Sequence, residues 1–250
     1  MRRIPYLSIV AIALAVAAGR AAHADITFSS ALGAPLSGAN YVNFNDLPPG
    51  NGGVTTANIG DSKNMPGSIG VTLSPNTPVY NPAPGGYAGA AATTGDESGN
   101  HAPPWVTLAG NVGHFAITQA ANGPDESRYL TSGTTGGIIS LSFNSPITYF
   151  GLLWGSVDTY NTLTFYGENK SWGVTGSDVK LNANGNQGEG GSLYVNFFSD
   201  LPIFRVEATS SQFAFELDNV AYSATPEAAT LTIWSGLGLC GWFAYRRGKK

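Results

Sequence analysis

The chain has 250 residues, 42% of them hydrophobic, and a formal charge of −4. Between Asp25 and Ala224 five basic residues stand against fifteen acidic ones, so this stretch is near −10; it should repel phosphate backbones and anionic headgroups, which argues against nucleic-acid binding. The single cysteine, Cys240, lies close to the C-terminus, so the body of the chain has no disulfide, thiolate nucleophile or cysteine metal ligand.

In chain order, Met1-Arg2-Arg3 is a basic start, Ile9 to Ala18 an apolar core, and Ala22-His23-Ala24 fits a small-x-small cleavage site. Residues 1–24 therefore read as a secretory signal peptide, handled by the Sec export machinery and cut before Asp25. Residues 25–224 follow, enough for one domain with a sizeable core. With 33 Gly and 15 Pro in the whole chain, the domain is rich in loops without having a disordered composition.

Tyr41-Val42-Asn43-Phe44 and Ile69 to Leu73 read as early strands, and Pro75 to Pro104, dominated by small residues, as a long loop. Later, Ile138–Phe143, Ile147–Trp154, Asn161–Tyr166, Ser192–Phe198, Ile203–Ala208 and Phe213–Tyr222 are short runs rich in β-branched and aromatic residues. Gly167 to Lys170 reads as a hairpin loop leading into Trp172–Thr175. Asn182 to Gly191 reads as a second, flexible loop.

Phe213, Phe215 and Leu217 alternate with Ala214, Glu216 and Asp218, the pattern of a strand with one buried face. After Asp218-Asn219 the apolar phase moves to Val220 and Tyr222, as a β-bulge produces. No fixed-period repeat is present, which disfavours a solenoid or propeller. The expected fold is all-β: an antiparallel β-sandwich of jelly-roll type.

Residues 225–250 have three parts: Thr225-Pro226-Glu227, an uncharged segment 228–245 of transmembrane-helix length, and Arg246-Arg247-Gly248-Lys249-Lys250. The basic end should remain cytoplasmic. Gly236-Leu237-Gly238-Leu239-Cys240-Gly241 fits a dinucleotide-binding pattern, but inside such a segment close helix packing is the better reading.

Together with the leader, Pro226, Glu227, the apolar segment and Arg246-Arg247 resemble the PEP-CTERM class of exported bacterial proteins. Ala228 departs from that pattern, standing where proline is usual. The resemblance implies recognition by an exosortase, a transient stay in the inner membrane through the tail, and final placement at the cell surface or outside it. A permanent tail anchor is the alternative. Phe150 through Tyr166, with Phe215-Glu216-Leu217-Asp218-Asn219-Val220, is also similar to one family of exosortase-dependent surface proteins, which implies a lectin-like sandwich.

Candidate sites are few. Trp154, Asp158, Tyr160 and Asn161 combine polar groups with aromatic faces, as saccharide recognition requires; the competing reading is that Asp158 and Asn161 satisfy turn backbone. Asp46 and Asp218, near an early and a late strand, could share a structural calcium, or serve as a loop acid and a bulge-stabilising turn. Asp96-Glu97 and Asp125-Glu126 are weaker candidates for such an ion and read better as solvated loop charge. With the glycine pattern of the tail read as helix packing, no cofactor is expected, and His101 and His114 lack a flanking nucleophile motif. Asp158 with Glu216 is a conceivable glycosidase pair that nothing in the sequence selects.

The expected function is non-enzymatic, structural display in a cell surface or extracellular matrix such as a biofilm. A carbohydrate-binding module in exopolysaccharide is the first alternative and a polysaccharide hydrolase the second.

Overall fold

The computed structural model describes residues 26–30, 35–45, 47, 50–51, 57–59, 69–74, 89–96, 101–107, 121–133 and 136–224. The expected leader, the tail with Pro226, Glu227, Arg246 and Arg247, and Asp46 lie outside them. Among the described residues no helix is long and apolar enough to cross a membrane. They form an all-β, antiparallel structure with one helical turn.

In chain order the strands are β1 (Ile26–Ser30), β2 (Asn40–Val42), β3 (Gly50–Asn51), β4 (Ala57–Ile59), β5 (Ile69–Ser74), β6 (Ala91–Thr93) and β7 (Trp105–Val106). There follow β8 (Gly123–Pro124), β9 (Tyr129–Thr131), β10 (Ile138–Gly155), β11 (Asn161–Tyr166) and β12 (Ser171–Thr175). The helical turn α1 (Gly176–Val179) precedes β13 (Leu193–Ser210) and β14 (Glu216–Ala224).

Four runs that the sequence offers as separate strands are two long ones. β10 and β13 each have 18 residues and run antiparallel to each other along most of their length. Pro146 lies where the β10–β13 register shifts between Ser142 and Ile147, and Pro202 immediately precedes its partner region at Ile203. Proline cannot donate to a ladder, so it fits where pairing is interrupted. At these two points each long strand leaves one part of the sheet and enters the other.

In the first part, the start of β10 lies between β5 and the end of β13, which in turn pairs with β11 and then β12. In the second, the end of β10 lies between β14 and the start of β13, with β1 beyond. β2 and β9 pair with successive stretches of β14, and β9 leads on to β6 and β3.

The two parts share one core. Ile139, Leu141, Phe143, Leu163, Phe165 and Val206 of the first bury their side chains with Phe150, Val195, Phe197, Phe215 and Val220 of the second. Phe165 lies 4.8 Å from Phe197 and 5.9 Å from Phe150 between ring centroids. Burying one such ring is worth roughly 1.5–3 kcal/mol.

The opposite face of the second part is covered too. Tyr149, Leu153, Tyr194 and Ala221 pack there with Ala39 and Val106. Burial on both faces explains why Tyr149 to Trp154 is a continuous apolar run rather than an alternating one. At Gly151 an added Cβ would sit 2.6 Å from the Tyr149 hydroxyl and 2.7 Å from that of Tyr194, so the two tyrosines need a glycine between them.

β14 departs from the expected one-sided pattern. Phe215 and Leu217 are buried as anticipated, but so are Ala214, Glu216 and Asp218, while Phe213 is 54% exposed. Segments 101–107 and 125–133 lie against the supposed outer face, through Ala102–Glu216, Ser127–Asp218 and Phe215–Ser132 hydrogen bonds. The bulge is where the phase change places it: between the pairs Gly151–Ala221 and Leu153–Asp218, the single residue Leu152 of β10 opposes two of β14, Asn219 and Val220. Asn219 absorbs the extra residue at φ 49.

The Pro75–Pro104 stretch is not wholly loop, since Ala91–Thr93 forms β6 between β9 and β3. The hairpin at Gly167–Lys170 is closed by the Gly167 amide donating to the Lys170 carbonyl at 2.8 Å.

Candidate functional site

The end of β10, the turn before β11, the 182–191 loop and the entry to β14 meet around a pocket of about 250 Å³. Ser156, Asp158, Tyr160, Asn184, Gln187 and Glu216 supply its polar lining, and Phe213 and Ala214 the apolar part. No lysine or arginine lines it.

The chain is turned into the pocket by local hydrogen bonding. Ser156, following β10, adopts φ 32, an uncommon left-handed conformation for a residue with a side chain. In the next turn the Asn161 side-chain oxygen accepts from the Asp158 amide at 3.0 Å, and the Asn161 amide donates to the Asp158 carbonyl at 3.2 Å. The Asn161 side-chain amide then donates to Ser210 Oγ at 3.3 Å and to the Ala214 carbonyl at 3.2 Å. Asn161 thus ties the Asp158 turn to the end of β13 and the approach to β14.

The 182–191 loop is held as firmly. Asp158 bridges to Asn184, the Gly185 amide donates to the Val157 carbonyl, and the Val157 amide donates to the Gly191 carbonyl. Gly185 is required twice over: its φ is 66, and a Cβ there would lie 2.3 Å from Asp158 Oδ2. This loop, expected to be flexible, is stitched across the pocket wall by hydrogen bonds the sequence does not display.

The electrostatics separate the two carboxyls. Glu216 is fully buried, and desolvation raises its pKa well above the ordinary value, against the lowering effect of the Ser156 hydroxyl and the Ala102 amide and with a further raising effect from Asp158. Ser156 donates to Oε2 and the Ala102 amide to Oε1, so both oxygens are engaged. Asp158 is 8% exposed. Its pKa is also raised by burial, while the Tyr160 hydroxyl and the charge of Lys180 oppose the shift. Tyr160, donating to Asp158, is raised by burial and by that hydrogen bond. The pocket thus presents an aspartate–tyrosine pair at its wall and a deep, anchored glutamate behind it.

Of the residues singled out for ligand contact, Asp158 and Tyr160 line the pocket. Trp154 and Asn161 do not: both are fully buried, Trp154 stacked on Phe215 at 4.4 Å and 19°. Asn161 carries out the turn-stabilising role weighed against saccharide contact. Asn184, Gln187 and Phe213 went unrecognised; the sole sequence signal was the turn chemistry of Asn182 and Asn184-Gly185, since Asn182 adopts φ 60.

Of the calcium candidates, Asp46 lies outside the described residues, whereas Asp218 is fully buried on β14. Asp125, expected as solvated loop charge, is 1% exposed, because the segment from Asp125 to Arg128 folds inward against β14 while Glu126 stays outside. Among the described residues no group of three or more His, Cys, Asp or Glu side chains is placed to hold a metal.

Neither a protein-family model nor a curated protein sequence matches this chain.

Proposed function

We propose that this chain is an exported, exosortase-processed surface protein whose domain binds saccharide without turning it over. Its β-structure is taken as a sandwich of jelly-roll, lectin-like kind, displayed in the cell surface or an exopolysaccharide matrix after a transient stay in the inner membrane. The tail motif Pro226, Glu227, Arg246 and Arg247 carries the sorting part of this reading, with the exosortase and the Sec machinery as partners.

The observation that carries the binding part is the pocket itself. It combines the Asp158–Tyr160 pair, the amides of Asn184 and Gln187, and an exposed Phe213 ring. Hydroxyl groups of a sugar exchange hydrogen bonds with carboxylate and amide groups, and its C–H faces pack on an aromatic ring. With two carboxyls and no lining cation, the pocket suits neutral saccharides better than uronate or sulfated ones.

A glycan array probed with the full chain in detergent tests this. Binding to neutral saccharides is expected, with an affinity loss of roughly tenfold or more on Asp158→Ala or Phe213→Ala. No binding, or binding indifferent to both substitutions, would remove the reading. For sorting, coexpression with an exosortase should yield a shortened, membrane-released product; full-length protein retained permanently in the inner membrane would overturn it.

A hydrolytic reading draws on one specific observation: Asp158 and Glu216 share the pocket, and paired carboxyls are what glycosidases use. Against it, Glu216 is 2% exposed with both oxygens hydrogen-bonded, the environment of an anchor rather than a proton donor to substrate. Release of reducing ends from a bound polysaccharide, abolished by Glu216→Gln, would favour hydrolysis over binding.

A further inference from the structure

Away from the pocket, the segment before β9 and the β14 bulge bring two carboxyls together inside the protein. Asp125 is 1% exposed and Asp218 is 0% exposed. They stand within hydrogen-bonding reach of each other, and no basic group figures among the influences on Asp218. Arg128, the nearest basic residue in sequence, is engaged elsewhere, donating through Nη1 to the carbonyls of Asn45 and Leu47.

The remaining polar contacts engage one oxygen of each carboxyl. Asp125 Oδ1 accepts from the Ser127 amide at 2.8 Å and from the Ser127 hydroxyl at 2.6 Å. That hydroxyl also lies 3.3 Å from Asp218 Oδ2. The other oxygen of each carboxyl, Asp125 Oδ2 and Asp218 Oδ1, is buried and has no hydrogen-bond partner. Two buried, neighbouring acids with one unpartnered oxygen apiece carry the desolvation cost of those oxygens, and repel each other wherever both are ionised.

We propose that Asp125 Oδ2 and Asp218 Oδ1 are ligands of a single calcium ion that pins the Asp125–Arg128 turn to β14. A divalent cation removes the repulsion and satisfies both orphaned oxygens at once. The donors are hard oxygens without His or Cys, the set that suits calcium rather than zinc. Calcium accepts irregular geometry and completes its shell with carbonyl oxygens and water, so two carboxylates suffice as its protein anions. Next to Asp125 in sequence, Glu126 is exposed and Ser127 half-buried, so along the chain the site lies close to the surface.

The test uses the full chain in detergent, stripped with a chelator and then titrated with calcium. Calorimetry should show one saturable site per chain, and saturating calcium should raise the unfolding midpoint by about 5 °C, with magnesium weaker. Asp218→Asn and Asp125→Asn each remove a charge at nearly constant volume. Both should fold in chelator, with a midpoint no lower than that of stripped wild type, and lose calcium affinity by roughly tenfold or more. Asp158→Ala should keep the full calcium response, which separates this site from the pocket. The proposal is overturned by a wild-type protein indifferent to calcium, since a proton shared between the acids would then account for the pair. An equal response to magnesium, or undiminished calcium binding in both Asn variants, would overturn it too.

Discussion

At the scale of single residues, the pocket depends on side chains that never touch its contents. Asn161 satisfies the Asp158 amide and spends its own amide on Ser210 and Ala214. Asn161→Ala should leave buried backbone groups unpaired, costing about 1–3 kcal/mol in urea unfolding and weakening saccharide binding with it. Gly185→Ala should do comparable damage by another route, a strained positive φ and a methyl driven at the Asp158 carboxyl, at a cost of about 1–3 kcal/mol. The pH dependence follows from Asp158. Burial raises its pKa above the ordinary 3.8, with Tyr160, Lys180 and Glu216 the ionisable groups around it. The folded chain therefore keeps a proton that the unfolded chain has released. This contribution to stability is complete below the unfolded pKa and is lost as pH rises through the folded one. Asp158→Asn should flatten that part of the stability curve, read as urea midpoints from about pH 4 to pH 7. Asp158 and Tyr160 were legible as polar groups beside aromatic ones; Asn184 and Gln187 were not, because an Asn/Gly-rich loop has the same composition whether it is stitched down or free.

At the scale of elements, β10 and β13 determine how the sheet is divided, and their prolines mark the division. Pro146 and Pro202 interrupt the sequence runs, which is why each strand reads as two; the ladders resume on either side, which is why each is one. Ile147 and Ile203 are paired just past these points and are fully buried. Ile203→Ala should cost about 2–5 kcal/mol, checked by urea unfolding, because the cavity opens where both strands change partners. The short α1 shows the opposite pH sign. Asp178 accepts from both the hydroxyl and the amide of Thr175 at 2.7 Å, and these bonds lower its pKa. Its contribution is present above the ordinary carboxylate range and lost as pH falls through the folded pKa. The protection factor of the Thr175 amide against exchange should therefore fall in acid, and in Asp178→Ala it should be low already at neutral pH. Strand positions were readable wherever burial is one-sided, as in β11. On β14 the reading failed for Ala214, Glu216 and Asp218, because a loop distant in sequence covers the face that alternation assigns to solvent.

At the scale of the whole molecule, the aromatic contacts Phe165–Phe197 and Phe150–Phe165 join the two parts of the sheet into one core. Unfolding should therefore be a single transition. Phe165→Ala and Phe197→Ala should each cost about 3–5 kcal/mol, and a double-mutant cycle should show coupling of about 0.5–3 kcal/mol. Two separate transitions, or strict additivity, would mean that the parts are independent. What the sequence by itself determined is the strand chemistry: the all-β class, the hairpin at Gly167–Lys170, the bulge at Asn219, and an acidic, cysteine-free body. Each of these depends on residues adjacent in the chain, through side-chain alternation, turn preference or charge. The tertiary structure alone decided that Asp158 meets Asn184, Gln187 and Phe213 in one pocket, that Trp154 and Asn161 lie beneath it, and that Asp125 faces Asp218. Those neighbours are tens of residues apart or more, and only the closing of the ladders, with the loss of water between them, brings them into contact.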